Sequence, residues 1–417
     1  MGPPIFFKEE KPDAGNTKTT GATRRIYFKR VHTERLHSFS LCAVKTLKIS
    51  DMVGIINKIS PQFLAESWDN PGLQVGDPKG EVSRIMIALD ASQLTVAEAI
   101  SSKCQLLITH HPLIFKPLKS ISAETPTGSS VYSAVKNDLS IVSMHTNYDV
   151  ACDGLNDELA VRLGLCDFVP LQSQTLQQLV KLVVLVPVDH LERVREAMFA
   201  HAESLGDYKE CSFSAAGEGT FTPLPGANPF IGNVGQREKV DEFRLELLLT
   251  RENVARAVKT LMAVHPYEEP AFDLYPLLNE GKTYGLGRVG KIASPTPLRV
   301  FVEQMAARLG CPKLRFVGNP AALIGKVAVC GGSGASLMRA AVRSGADVLV
   351  TGDVKYHDAR DAQELGIALV DAGHFFTEKI MVEAVARRLE KSLAASGMNG
   401  IEVLRCAVEA DPFQYFQ

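Results

Sequence analysis

From residue 49 onward the chain alternates two hydrophobic rhythms. ISDMVGIINKIS spaces its apolar residues three and four apart, which predicts a helix with Ser50 as its N-cap. The turn-rich loop SWDNPGLQVGD follows, and then a short apolar run that predicts a strand from Arg84 to Leu89. Beyond it come a helical run LTVAEAISSKC, a strand QLLIT, a helix VYSAVKNDL, a strand SIVSMH and a helix near LNDELAVRLG. Short apolar runs alternating with helical periodicity predict an α/β layer with a largely parallel sheet.

The last third repeats this order. KVAVCGGSG, ASLMRAAVRSGA, DVLVTGD, a helix near ARDAQELG, IALVDAGH and FTEKIMVEAVARRLEK read as strand, helix, strand, helix, strand, helix. Leu89 to Thr109 spans 20 residues and Val329 to Thr351 spans 22, and each second strand ends in Thr followed by polar residues, THH and TGD. The two ends of the chain therefore read as a divergent duplication. Between them KLVVLVPV, a helix from Asp189, a strand region from Cys211 to Gly235, EFRLELLLT, a helix from Arg251 and AFDLYPL predict a ferredoxin-like α+β insert. The expected organisation is a basic, disordered extension over 1–44, α/β halves over 45–178 and 281–417, and the insert over 179–280.

Composition narrows the classes. A chain of 417 residues, 46% apolar and 22% charged, has the makeup of a soluble globular protein with room for two or three domains. The formal charge of −2 gives no field to draw in nucleic acid or an anionic membrane, so neither is expected as a partner. The longest apolar stretch, LVVLVPV from Leu182, falls far short of the roughly 20 residues of a membrane helix. Eight scattered cysteines without a CxxC pair, and no signal-peptide core ahead of them, predict reduced thiols in a cytoplasmic protein.

Candidate chemistry gathers at predicted strand ends, where open α/β sheets bind ligands. His110 and His111 follow LLIT and precede Pro112; adjacent residues project differently, so the pair suits two metals better than one. After SIVSM come His145 and Asp149, the latter either a terminal oxygen ligand or a helix cap. In DAGHFFTEK a helix starting near His374 would place His374 and Glu378 at i and i+4 on one face. Glu378 is then either a carboxylate able to bridge two cations or an acidic residue favoured by the helix dipole. Together these residues suit two borderline divalent ions such as zinc, manganese or iron(II).

With SWDNPGLQVGD, ITHHP, HTNYD, GTFTPLPGANPFIG, HPYEEPA, GLGRVG, TGDVKYHDA and DAGHFFTE in this order, residues from about Val44 to the C-terminus resemble an insert-containing member of the Nif-three-like, GTP cyclohydrolase I type-two-like, family. The resemblance implies one metal-binding domain built from two α/β halves, with an insert similar to PII or CutA proteins. It implies a dinuclear centre with His110, His111, Asp149, His374 and Glu378 as ligands, Glu378 bridging, in a homo-oligomer, typically a hexamer. It further implies hydrolysis: activated water attacks C8 of the guanine of GTP, the imidazole ring opens and formate leaves.

A proton carrier is also required, and His145 and His357 are the positional candidates, with Asp353 and Lys355 as charged neighbours that orient them or hold a phosphate. The competing expectation is a non-catalytic metal-handling or regulatory oligomer. Two further motifs are set aside. CGGSGAS lacks the GK[ST] of a phosphate-binding loop and is explained equally by a tight strand-to-helix turn, and HPYEEPA reads as a shaped interdomain loop.

Overall fold

A computed structural model describes residues 47–398 and 400–414. The extension predicted over 1–44 lies outside the described residues. The rest is a mixed α/β fold built on two large sheets and a smaller one.

The first large sheet holds Arg84–Ala88, Leu106–Thr109 and Ser140–Ser143 as parallel neighbours. Gly72–Val75 pairs antiparallel on one side and Glu402–Arg405 parallel on the other. In the second, Leu323–Val329, Val348–Thr351 and Ala368–Asp371 are parallel in the same sequential order. Three antiparallel strands flank them: Arg315–Val317 on one side, Thr283–Pro297 and then Leu165–Leu176 on the other. The C-terminal strand thus completes the N-terminal sheet, while Leu165–Leu176 joins the C-terminal one.

Both sheets are buried on both faces, as continuous apolar runs require. Ile85, Ile87, Leu106 and Ile108 point into the same apolar cluster as Val327, Val329, Val348 and Val350. Residues between them face outward onto separate clusters, Met86 and Leu107 in one and Ala328 and Leu349 in the other. Helices Ile49–Ile59, Leu155–Leu163, Leu298–Leu309 and Ile380–Ala395 fill the shared cluster. Ser50 does not cap the first of these; Lys48 is the N-cap, and Asp51 accepts from its backbone amide at 3.0 Å.

A four-stranded antiparallel sheet lies within 179–280, in the order Phe272–Pro276, Leu179–Pro187, Glu238–Thr250, Ser212–Phe221. Its helices, Leu191–Phe199 and Val254–Val264, close a core around Leu182, Val184, Leu247 and Leu261. No described helix is long and apolar enough to cross a membrane.

Candidate metal centre

Each parallel triplet throws its functional loops out at the same ends. Leu89 O, just past the first strand, accepts from the amides of both His110 (3.1 Å) and His111 (3.0 Å), which fixes the backbone of the pair. The third strand runs into the short helix Thr146–Val150, with His145 at its N-cap and Asp149 within it. Its counterpart in the second sheet runs into His374–Glu378, so His374 and Glu378 do sit at i and i+4. His145 and Asp149 have the same spacing, and each half therefore delivers a histidine and a carboxylate from one turn of helix.

The four imidazoles share one arrangement. Nδ1 of His110 lies 2.8 Å from Met144 O, that of His111 2.8 Å from Asp90, that of His145 2.8 Å from Asp69 and that of His374 2.7 Å from Asp353. A carbonyl or carboxylate at that distance requires the proton on Nδ1, leaving the Nε2 lone pair to point inward. His111 Nε2 lies 3.0 Å and His374 Nε2 2.9 Å from Glu378 Oε2, and the two nitrogens are 3.3 Å apart. His110 Nε2 is 3.6 Å from Asp149 Oδ1 and 3.7 Å from Glu378 Oε1.

Acceptors thus face acceptors. His110 Nε2 and Asp149 Oδ1 are buried without a hydrogen-bond partner, an arrangement that is costly until a positive charge enters between them. The electrostatics of the cluster make the same demand. Burial opposes protonation of His111, but its bonds to Asp90 and Glu378 outweigh it and lift the imidazole to about 10. The Glu378 bond lifts His374 to about 9 against the opposing effect of burial. Burial raises Asp149 to about 6, whereas Glu378, although buried, is held well below the usual carboxylate range by His110, His111 and His374. A divalent cation supplies the same charge as these protons and displaces them on binding.

Two triads have ligand atoms within 4.8 Å of one another: His110, His111 and His145, and His111, His374 and Glu378. The structure thus gathers all five predicted ligand residues together with His145, whose ring lies 5.3 Å from that of His110 and 5.7 Å from that of His111. His357 stands apart. It is exposed on Tyr356–Leu365 with its ring against Tyr356, and no described bond or ring contact joins it to the cluster. Lys355 caps that helix, its amide donating to Asp358. Asp353 does orient a histidine, His374, and does so from a left-handed backbone at φ 54° that an aspartate tolerates.

Sequence reading missed Asp69 and Asp90 as the partners of His145 and His111. Both follow or precede candidate elements, but they lie 76 and 21 residues from the rings they hold. CGGSGAS serves the centre by close approach: a Cβ on Gly332 would strike Glu378 Oε1. Its amides are committed, Gly331 to Asn156, Gly332 to Thr377 and Gly334 to Thr351, so they form no phosphate cradle. In HPYEEPA both His265 nitrogens bond backbone groups, Nε2 to Leu185 O and Nδ1 to the Tyr267 amide.

A cleft of about 780 Å³ opens beside the cluster, with His111 and His374 in its wall and Lys313, Arg315, Phe375 and Phe413 around them. Comparison with known proteins shows what the whole chain resembles. The model of the Duf34/NIF3 (NGG1p interacting factor 3) family matches residues 47–412. A GTP cyclohydrolase 1 type 2 homolog of Halalkalibacterium halodurans is 42% identical over 365 residues, 87% of this chain and 98% of that protein. Its Bacillus subtilis counterpart, of the same name, is 38% identical over 372 residues, 89% of this chain and 99% of that one. The crystal structure of a Bacillus cereus protein related to NIF3 superposes with a TM-score of 0.79 at 38% identity, covering 89% of this chain and 99% of that one.

Proposed function

The chain belongs to the Duf34/NIF3 family, and from that premise we propose that it is a dinuclear divalent-metal protein that hydrolyses a nucleotide, opening the guanine imidazole ring of GTP with release of formate. The observation that carries this reading is the set of inward Nε2 lone pairs and carboxylates, each histidine fixed from behind at Nδ1. His110, His111, Asp149, His374 and Glu378 are the residues that would hold the ions. Glu378 would serve both, since its Oε1 faces His110 while its Oε2 faces His111 and His374. Zinc, manganese and iron(II) all suit such a donor set, and bound ions would supply the Lewis acid that activates water.

The chain's own residues do the remainder. His145 holds or passes a proton at Nε2, because Nδ1 is committed to Asp69. Burial works to raise Asp69, but its hydrogen bonds from His145 and Thr146 overcome this and bring it to about 2, so it stays an anion that fixes the His145 ring. The cleft beside His111 and His374 falls within the roughly 300–1,000 Å³ usual for small-molecule sites, and Arg315 in its wall is paired with Asp371.

On the same reading the two large sheets are duplicated halves, supported by their identically ordered parallel triplets. The unit within 179–280 is a ferredoxin-like, PII/CutA-like insert, supported by its 4-1-3-2 strand order. The protein works in the cytoplasm as a homo-oligomer, a hexamer.

The test is formate release from GTP by protein loaded in turn with zinc, manganese and iron(II), beside a Glu378→Ala control and elemental analysis. Metal-dependent release that the control lacks supports the whole reading. Two ions per chain without release would keep the centre and point to another substrate or a non-catalytic role, and no bound metal would remove both.

A further inference from the structure

The end of strand Arg84–Ala88 acts as a hub for the histidine pair. Leu89 O accepts from the amides of His110 and His111, and the Asp90 carboxylate accepts from His111 Nδ1 at 2.8 Å. The Asp90 side chain is 53% exposed, so its aim depends on how firmly its backbone is held. That hold comes from the far end of the chain. The Glu409 carboxylate accepts from the Leu89 amide at 3.0 and 2.8 Å and from the Asp90 amide at 2.7 Å.

We propose that Glu409 is a positioning residue of the metal centre, fixing the His111 imidazole through Leu89 and Asp90. The inference rests on the reading of His111 as a metal ligand. The segment that carries Glu409 is docked by other contacts. Glu402–Arg405 pairs with Arg84–Ile87, the Cys406 amide donates to Ile87 O, and the Glu98 carboxylate accepts from the amides of Ala407 and Val408. Removing the Glu409 carboxylate therefore frees the hub without undocking the segment. A single carboxylate then governs two things at once: the placement of both histidine amides, through the Leu89 peptide, and the tautomer of His111, through Asp90.

The segment also shapes access. Asp411 and Pro412, just beyond Glu409, line both the cleft of about 780 Å³ and a second one of about 650 Å³, and Asp90, His111 and Phe375 border both as well. Glu409 thus stands where the wall between the two clefts meets the His111 ring.

The test compares the full chain with its Glu409→Ala and Glu409→Gln variants by two readouts. In metal-free protein carrying ¹⁵N-histidine, the His111 Nδ1–H signal, identified by its loss in Asp90→Ala, should shift and exchange faster with solvent in Glu409→Ala. Cobalt(II) titration followed by visible absorption should show an affinity loss of up to about 10-fold, the low end of the cost of losing an outer partner of a metal-binding histidine because Asp90 itself remains, with a changed band shape. Glu409→Gln keeps one acceptor oxygen and should fall between, and it supplies the comparison if Glu409→Ala does not fold. An altered melting temperature with an unchanged His111 signal and cobalt band would overturn the proposal. A wild-type protein that binds no cobalt would remove the metal reading alone, and the nitrogen signal would still decide the positioning role.

Discussion

Arg288 offers the sharpest test of how the fold supports the centre. Its guanidinium is buried, the residue only 2% exposed, and pairs through Nε with Asp157. Its remaining donors reach Gly285 O and Gly287 O at 2.7 Å and Ala151 O at 2.9 Å. Ala151 is the C-cap of the short helix that carries Asp149, so this one side chain ties strand Thr283–Pro297 to the end of that helix. Arg288→Met keeps bulk and removes the charge, stranding the Asp157 carboxylate and three carbonyls. Breaking a buried pair by removing one partner costs about 3–5 kcal/mol. The Asp157 side chain is 14% exposed, so water recovers part of this, and we expect the lower half of that range. With unfolding entropy of about 2.1 cal/mol/K per residue over roughly 370 residues, the drop in melting temperature should be about 4–5 °C. Scanning calorimetry on metal-free protein measures it, beside Asp157→Asn and the double variant. Because the two residues share one interaction, the double variant should be less destabilised than the sum of the singles by about 1 kcal/mol or more. A shift below about 1 °C in Arg288→Met, or strict additivity, would refute the reasoning.

Three further outcomes follow from the geometry. Glu378→Gln should lower metal content from two ions per chain to at most one, since one oxygen of the amide loses its charge and the other becomes a donor; undiminished content by elemental analysis would count against bridging. Trp68 is the only tryptophan of the chain and its ring lies 6.1 Å from His145, so manganese(II) or cobalt(II) should quench its emission while zinc does not; bound manganese without quenching would contradict the placement of His145 at the centre. Burial depresses His265 below its unfolded value of about 6.5. The unfolded chain therefore takes up that proton first, so stability is whole above about pH 6.5 and is lost as pH falls toward the folded value. Melting temperature against pH should fall less steeply in His265→Gln than in the wild type, and parallel curves would exclude this role for His265.

What could be read in the sequence, and what could not, divides along the range of the interactions involved. The parallel triplets were legible because IMIA, LLIT, SIVS, VAV, VLVT and ALVD each carry their own signal, a short apolar run, in four of the six closed by a polar residue. Glu402–Arg405 was not, because EVLR is short and mixed, and what makes it a strand is the edge offered by Arg84–Ile87, 318 residues earlier. Leu165–Leu176 and Thr283–Pro297 were hidden for a related reason. Their register shifts in two places, and a shifted register breaks the two-residue alternation that a reader of sequence relies on. The first helix shows a local failure: two oxygens, on Ser50 and Asp51, compete for one cap, and only the backbone decides that Asp51 reaches Lys48. At the centre, the histidines and carboxylates stood out at strand ends, whereas Asp69 and Asp90 did not, because what they do is hold other side chains and that relation exists only once the loops have met.

The distribution of donors between the two sheets explains why such a centre needs the whole fold. The first half contributes His110, His111, His145 and Asp149, and the second contributes His374 and Glu378. Glu378 is the residue on which they converge, for it lies 3.0 Å from His111 across the divide and 2.9 Å from His374 on its own helix. Each half alone could fix one histidine and one carboxylate from a helical turn. Only the shared apolar cluster, in which Ile87 and Ile108 meet Val329 and Val350, sets the two turns at a distance where their lone pairs confront each other. Packing therefore does electrostatic work: burying these side chains brings together acceptors that repel, and the stability of the core holds them in place. That is the preorganisation a metal centre requires, because the cost of assembling its ligands is met by folding rather than by binding.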